Sequence, residues 1–254
     1  MNTKVITEIE QGAATAFIDA SIKSNLAFKP QFVSNNYKEG HKVLASIEEE
    51  LSKCDAFSIS VAFITKGGIT PLLQTLKELE KKGIPGRILT TDYLMFSEPE
   101  ALDKLAKLTN IRLRMFCSQE AGEGFHTKGY IFKEQEVYRI IVGSSNMTLS
   151  ALTKNKEWNT RIVSTEQGEF AQRMVEEYDE LWNSSYTEDY NDFIETYRTN
   201  YEIVKKQKAI AKQSDITDIE QYRLTPNSMQ IGFIHNLQKL IEGGEKRALL
   251  ISAT

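Results

Sequence analysis

Cysteine, histidine and long apolar runs are all scarce in this sequence. Two cysteines, Cys54 and Cys117, stand far apart in 254 residues. That excludes a disulfide scaffold or a cysteine zinc site and fits a reducing, cytoplasmic setting. The longest apolar runs have the length of a strand or a core helix, so no membrane span is expected. The opening residues, MNTKVITEIEQG, carry acids where a secretory signal needs an apolar centre. An excess of one charge is lacking too. The net charge of -4 argues against a chain that binds nucleic acid over its whole surface, while leaving room for a local positive cleft. Histidine occurs three times, as His41, His126 and His235.

What is present is a globular chain with 41% hydrophobic residues, enough for one sizeable core. A short helix is expected near Gly12 to Ser24. Tyr37 to Lys53 is a stronger one, because Val43, Leu44, Ile47 and Leu51 recur at three- and four-residue intervals. Asp55 to Ile64 reads as a buried strand, Ile69 to Lys82 as a helix, Arg87 to Thr91 as a strand. A helix starting near Ser97-Glu98-Pro99-Glu100 runs to about Leu108, and Ile111 to Cys117 is the next strand. Alternation of this kind predicts an α/β fold with a mixed, mostly parallel sheet flanked by helices. Thr160 to Ser164 adds a strand and Glu169 to Trp182 an amphipathic helix.

The chemistry gathers between Phe125 and Glu157. Phe125 to Phe132 alternates apolar and polar residues, the pattern of a strand, and so places His126 and Lys128 on one face. Imidazole and ammonium can then converge on one anion. The charged run Lys133 to Glu136 turns the chain, and a second strand, Val137 to Val142, delivers Gly143-Ser144-Ser145-Asn146. Phosphodiester cleavage needs a nucleophile, positive charge for the phosphoryl oxygens and a proton donor for the leaving oxygen. An imidazole has a useful neutral fraction near pH 7, Lys128 supplies charge, and Ser144 and Asn146 supply directed donors. Glu157 can hold an imidazole tautomer as the acid of a triad does. Taken singly, each residue has an ordinary reading. A lone H-x-K is common on exposed strands, Asn146 is equally a helix N-cap, and Glu157 beside Lys156 is equally a solvated carboxylate. Lys66, Arg112, Arg114, Lys154 and Lys156 either line a phosphate track or are plain surface.

Together, His126-Thr127-Lys128 and Gly143-Ser144-Ser145-Asn146 resemble the H-x-K... G-S-x-N signature of the phospholipase D superfamily, over roughly residues 30–185. The aspartate often found five residues after the lysine is Lys133 here. Glu157, eleven residues after Asn146, resembles the acid of the branch that includes metal-independent type IIS restriction endonucleases. The resemblance implies a phospholipase D-like layered fold. It also implies attack by His126 to give a covalent phosphohistidine, phosphoryl binding by Lys128 and Asn146 with Ser144 nearby, and orientation of His126 by Glu157. No metal or other cofactor is implied for this domain. The second histidine such a site needs matches neither His41, which is followed directly by lysine, nor His235. A homodimer sharing one site is therefore expected, acting on DNA, with RNA the other candidate. A phospholipase-like phosphodiesterase and a non-catalytic DNA-binding or dimerisation module are the competing readings.

Beyond Trp182 the character changes. Phe193 to Ala211 is helical in tendency and basic toward its end. Leu224-Thr225-Pro226, Met229-Gln230 and Ala248 to Thr254 resemble the entrance of superfamily 2 helicases of the DEAD/DEAH and type III restriction kind, whose last strand leads into a phosphate-binding loop. The expected division is a nuclease domain over 1–190, a helical linker over 191–223 and the truncated start of a helicase ATPase domain over 224–254. The alternative lets the last strand complete the first sheet. ATP and Mg are implied only for the missing remainder of that helicase domain.

Overall fold

In the computed structural model, the described residues are 3–36, 38–213, 236–237 and 239–244. The helices are α1 (Thr3–Phe17), α2 (Val43–Lys53), α3 (Lys66–Ile69), α4 (Leu73–Lys81), α5 (Pro99–Ala106), α6 (Ser118–Ala121), α7 (Leu149–Thr153), α8 (Glu169–Trp182) and α9 (Tyr190–Gln213). The strands are β1 (Gln31–Val33), β2 (Ala56–Val61), β3 (Gly86–Thr91), β4 (Ile111–Phe116), β5 (Lys128–Glu134), β6 (Val137–Gly143), β7 (Asn159–Thr165) and β8 (Thr187–Asp189). The chain divides into two compact units, Met1–Lys206 and Gln207–Thr254. In the second, residues 236–237 and 239–242 are helical and a turn follows at Gly243 and Gly244. The helicase-like segments at 224–230 and 248–254 lie outside the described residues.

One eight-stranded sheet organises the first unit, in the order β1-β7-β6-β5-β2-β3-β4-β8. The sheet is mixed but mostly antiparallel, which corrects the expectation of a mostly parallel one. Only β2 with β3 and β3 with β4 run parallel; the other five neighbouring pairs are antiparallel. The reason lies in the connections. β2, β3 and β4 are joined through helices that carry the chain back across the sheet, as parallel strands require. β5 and β6 are joined by the two residues Gln135 and Glu136, with Gln135 at φ 53, and so short a turn permits only a hairpin. The stretch from Ser144 to Trp158 then returns to the same end of the sheet, with Gly143 opposite Asn159, so β7 is antiparallel as well.

Alternating side chains divide between two faces. Phe57, Ile59, Ile88, Leu113, Tyr130 and Phe132 pack with Ile47 and Leu51 of α2, Leu76 and Leu79 of α4, Leu102 and Leu105 of α5, and Phe193 and Tyr197 of α9. Leu89, Phe116, Ile131 and Ile140 face the other way, against Ala171, Tyr178 and Trp182 of α8. The period-two alternation along each strand is thus used on both sides. No described helix is long and apolar enough to cross a membrane.

Candidate active site

The register of the central strands collects one set of loops at one end of the sheet. Val61, the last residue of β2, lies opposite Lys128, the first of β5, and Gly129 lies opposite Val142 near the end of β6. The segments leaving β2, β3 and β6 and entering β5 and β7 therefore meet there. Strand β5 begins at Lys128, so His126 lies in the loop before the strand rather than on it. The pair converges all the same: Lys128 Nζ is 3.0 Å from His126 Nδ1 and 2.7 Å from the His126 carbonyl oxygen. An ammonium has no acceptor, so Nδ1 accepts in this contact and a neutral ring carries its proton on Nε2. Thr127 between them is tied to β2 through Ser60, Oγ to Oγ1, at 2.5 Å.

Gly143-Ser144-Ser145-Asn146 is held on three sides. A Cβ on Gly143 would stand 2.2 Å from the Trp158 carbonyl oxygen and 2.6 Å from Asn159 Cα, so only glycine lets the two strands approach this closely. The Ser144 backbone N–H donates to that carbonyl at 3.1 Å. Its hydroxyl accepts from Trp158 N–H at 3.1 Å and donates to Glu157 Oε2. Its single proton is committed to the carboxylate, so the serine positions Glu157. Buried Ser145 is gripped by Asn159, whose Oδ1 accepts from its N–H at 3.2 Å and whose Nδ2 donates to its Oγ at 2.9 Å. Tyr130 donates to the Ser145 carbonyl at 3.0 Å, and burial, aided by the Glu157 charge, pushes its phenol well up, so it stays a donor.

Asn146 does not cap a helix. Thr148 is the N-cap of α7, its hydroxyl accepting from Ala151 N–H at 3.3 Å. Asn146 Oδ1 accepts from the Phe63 N–H at 3.1 Å, which leaves its NH₂ as the donor end for a ligand. Main-chain bonds from Met147 N to Phe63 O and from Thr65 N to Met147 O, both 3.0 Å, fasten this loop to the segment leaving β2.

Glu157 is buried, 8% exposed, and its hydrogen-bond partner is Ser144 rather than His126. Its charge acts on Lys128, which in turn contacts His126. Burial lowers the Lys128 pKa, and the Glu157 charge partly restores it. A carboxylate, an ammonium and an imidazole thus stand in sequence, with the imidazole exposed at the outer end. Such a set can bind an oxyanion and present a ring nitrogen to it. The two thiols are not candidates for the nucleophile: burial pushes both Cys54 and Cys117 up to about 12, so they stay protonated. Among the described residues no group of three or more His, Cys, Asp or Glu stands together to hold a metal ion.

Three of the five scattered basic residues, Lys66, Arg112 and Arg114, are engaged elsewhere. Lys66 Nζ lies 2.6 Å from Glu100, while Arg112 and Arg114 both reach Asp189, at 3.5 and 3.0 Å, and lie against the Trp182 ring. His41 is exposed, in a bridge with Asn36 and 3.8 Å from Glu39. Sequence reasoning missed Asn159 and the aromatic side chains that touch His126: the Tyr93 ring is 5.4 Å away and the Phe63 ring 6.3 Å, both edge-on. For Phe63 and Tyr93 the available signal was their position just after the parallel strands β2 and β3, where open α/β sheets place ligands.

Comparison with known proteins bears on the family and the fold. The family model described as "Cardiolipin synthase, PLD-like domain" matches residues 49–182, just over half of the chain. No curated protein matches the sequence. Among solved structures, a phospholipase D family member, Nuc from Salmonella typhimurium, is 20% identical with a TM-score of 0.51, covering 64% of this chain and 99% of its own. NucT from Helicobacter pylori is 16% identical with a TM-score of 0.48, covering 61% of this chain and 96% of its own. A phosphatidylserine synthase from Haemophilus influenzae Rd KW20 is 13% identical with a TM-score of 0.46, over 72% of this chain and 46% of its own. At such identities the Salmonella structure speaks for the fold.

Proposed function

The chain belongs to the phospholipase D-like family of phosphodiester hydrolases, and on that premise we propose that it is a metal-independent endonuclease acting on DNA through a phosphohistidine. The observation that carries this reading is the convergence of His126 and Lys128 at 3.0 Å beside buried Glu157. When a phosphodiester arrives, its oxygens draw the Lys128 ammonium away from Nδ1 and take the free NH₂ of Asn146. The ring proton then passes by way of solvent from Nε2 to the freed Nδ1, and the unprotonated Nε2 attacks phosphorus. The P–O bond to the leaving oxygen breaks as the N–P bond forms, and water then releases the phosphoryl group from His126. Glu157, fixed by Ser144, keeps Lys128 charged and in place.

The leaving oxygen needs a proton, and a second copy of the chain supplies it from its own His126. Exposed aromatic surface at the rim supports a partner there. Trp158, next to Glu157, is 74% exposed and meets the exposed Phe32 edge-on at 6.0 Å. The resemblance of residues 224–254 to a helicase entrance supports a nuclease module over 1–190, joined by a linker over 191–223 to a nucleic-acid translocase. Repair of DNA or defence against foreign DNA would suit that pairing.

The test is cleavage in EDTA of DNA, RNA and a phosphodiester lipid offered in parallel. DNA cut at the same rate with and without chelator is the expected result. Hydrolysis of the lipid alone, with every nucleic acid intact, would discard the endonuclease reading. A pH experiment examines Lys128. Because its folded pKa is lowered, its charge is lost at a lower pH than that of an ordinary lysine, and anion affinity should fall as pH rises through that value. Arginine keeps its charge throughout. Calorimetric titration with sulfate between about pH 7 and 10 should show a steeper loss for the wild type than for Lys128→Arg. Parallel curves would show that Lys128 does not hold the anion.

A further inference from the structure

The exit from β3 is built at a cost. After Thr91 the chain makes a single 3-10 turn over Tyr93–Met95, in which Leu94 and Met95 take φ values of 56° and 50°. Side chains with a Cβ avoid this left-handed region, and such strain persists only where the surroundings enforce it. Here they do. Met95 N–H bonds to Asp92 O at 3.0 Å and Tyr93 N–H to Thr91 Oγ1 at 3.2 Å. Asp92 Oδ1 in turn accepts from the Ser118 N–H at 2.8 Å and its hydroxyl at 2.6 Å. The turn is pinned to the start of α6.

What the pinned turn holds in place is an aromatic wall against His126. Tyr93 meets the imidazole at 5.4 Å and 67°, Phe63 meets it at 6.3 Å and 78°, and Phe96 continues the row from Phe63 at 4.9 Å. Leu94 is 51% exposed and Phe96 46%. Tyr93 and Phe63 are half-buried, so the wall is open on the side of Leu94 and Phe96, and the candidate nucleophile beside Tyr93 and Phe63 is exposed. In a nucleotide one sugar separates phosphate from base, so rings that touch a phosphate-attacking imidazole stand within reach of the adjoining base. Aromatic rings so placed stack bases of any sequence. In a duplex the base faces are already covered by their neighbours, so such a wall can engage only an unpaired base.

We propose that Tyr93 and Phe63 form a stacking subsite for the nucleobase beside the scissile phosphate, so that the enzyme selects unpaired strands over duplex. This rests on the nuclease reading above and adds the substrate class to it. Phe63 is also held in register with the anion-binding loop through its main-chain bond to Asn146, which couples stacking to phosphate placement.

The experiment uses the full chain and an oligonucleotide in which methylphosphonates leave one cleavable phosphodiester. It is offered single-stranded, annealed to its complement, and single-stranded with an abasic residue on either side of that bond. Wild type is expected to cut the single strand at least tenfold more efficiently than the duplex. One of the two abasic substrates should show a KM raised roughly tenfold or more. Tyr93→Ala should reproduce that rise on the intact strand and abolish the difference between intact and abasic substrates, while Tyr93→Phe behaves as wild type. Equal cutting of single strand and duplex, with KM unchanged in Tyr93→Ala, overturns the subsite and leaves the nuclease reading standing. Failure to cut any nucleic acid, with a phosphodiester lipid hydrolysed instead, overturns both.

Discussion

His126→Ala is expected to abolish phosphodiester cleavage, by ~10⁴-fold or more, without unfolding the chain. Removal of a covalent nucleophile leaves only what binding and electrostatics contribute. The fold should tolerate the change because His126 lies in the loop before β5 with its ring exposed, and its contacts with Lys128 and Tyr93 are at the surface. A shared site makes a sharper demand. If one imidazole attacks and its mate protonates the leaving oxygen, a dimer with a single altered subunit is also inactive. An equal mixture of wild type and His126→Ala, allowed to exchange subunits, should then keep about a quarter of the activity of undiluted wild type. Retention of half would show that each copy works alone, and the dimer reading would be withdrawn. Full activity in the pure variant would remove His126 from the chemistry altogether.

Glu50→Ala is expected to cost about 3–5 kcal/mol of stability, the penalty of breaking a buried ion pair on one side. Glu50 is 2% exposed on the inner face of α2, in the same buried set as Val43, Ile47 and Leu51. It lies between two buried arginines: Arg161 Nε is 2.5 Å from one oxygen and Arg139 Nε is 3.6 Å from the other. Arg139 keeps Glu134 as a second partner. Among the described residues Arg161 has no other carboxylate in contact, and it bonds otherwise to the carbonyls of Lys29, at 3.2 Å, and Ala27, at 3.1 Å. Loss of Glu50 leaves its guanidinium charged, buried and unpaired, and loosens the segment that leads into β1. For a domain of this size the expected fall in Tm is roughly 6–20 °C. Because Arg161 is two residues from Asn159, which grips Ser145, activity should fail at a lower temperature than in wild type. Denaturant melts decide the matter, and a loss below about 1 kcal/mol would mean that water or a rearranged neighbour takes over the charge. Replacing Glu50 and Arg161 together by leucine and methionine should recover much of the deficit, since the pair is removed rather than broken.

Most elements were legible because their signals are local. Glu169 to Trp182 coincides with α8, and Ile111 to Cys117 overlaps β4 to within one residue. Boundaries moved where tertiary packing outweighed periodicity. The helix expected from Tyr37 begins only at Val43, after a bridge between Asn36 and His41, and the one expected from Ile69 is divided into α3, a 3-10 turn and α4. The handedness of Gln135, which makes the β5–β6 hairpin possible, has no marker in a glutamine. The short charged turn at Lys133 to Glu136 rules out a crossover and so marks β5 and β6 as antiparallel, but the other four antiparallel pairings had no such local signal.

By itself the sequence determined which chemistry-bearing residues exist and how far apart they lie along the chain. H-x-K, G-S-x-N and the later glutamate are fixed spacings, and covalent connectivity alone preserves them. The tertiary structure decided who touches whom. Glu157 bonds to Ser144, Asn146 turns its carbonyl to Phe63 and its amide outward, and Tyr93, more than thirty positions earlier, comes to lie against His126. These pairings arise because strand register carries residues distant in sequence to one end of the sheet. Register depends on the packing of both faces at once, which no local pattern encodes.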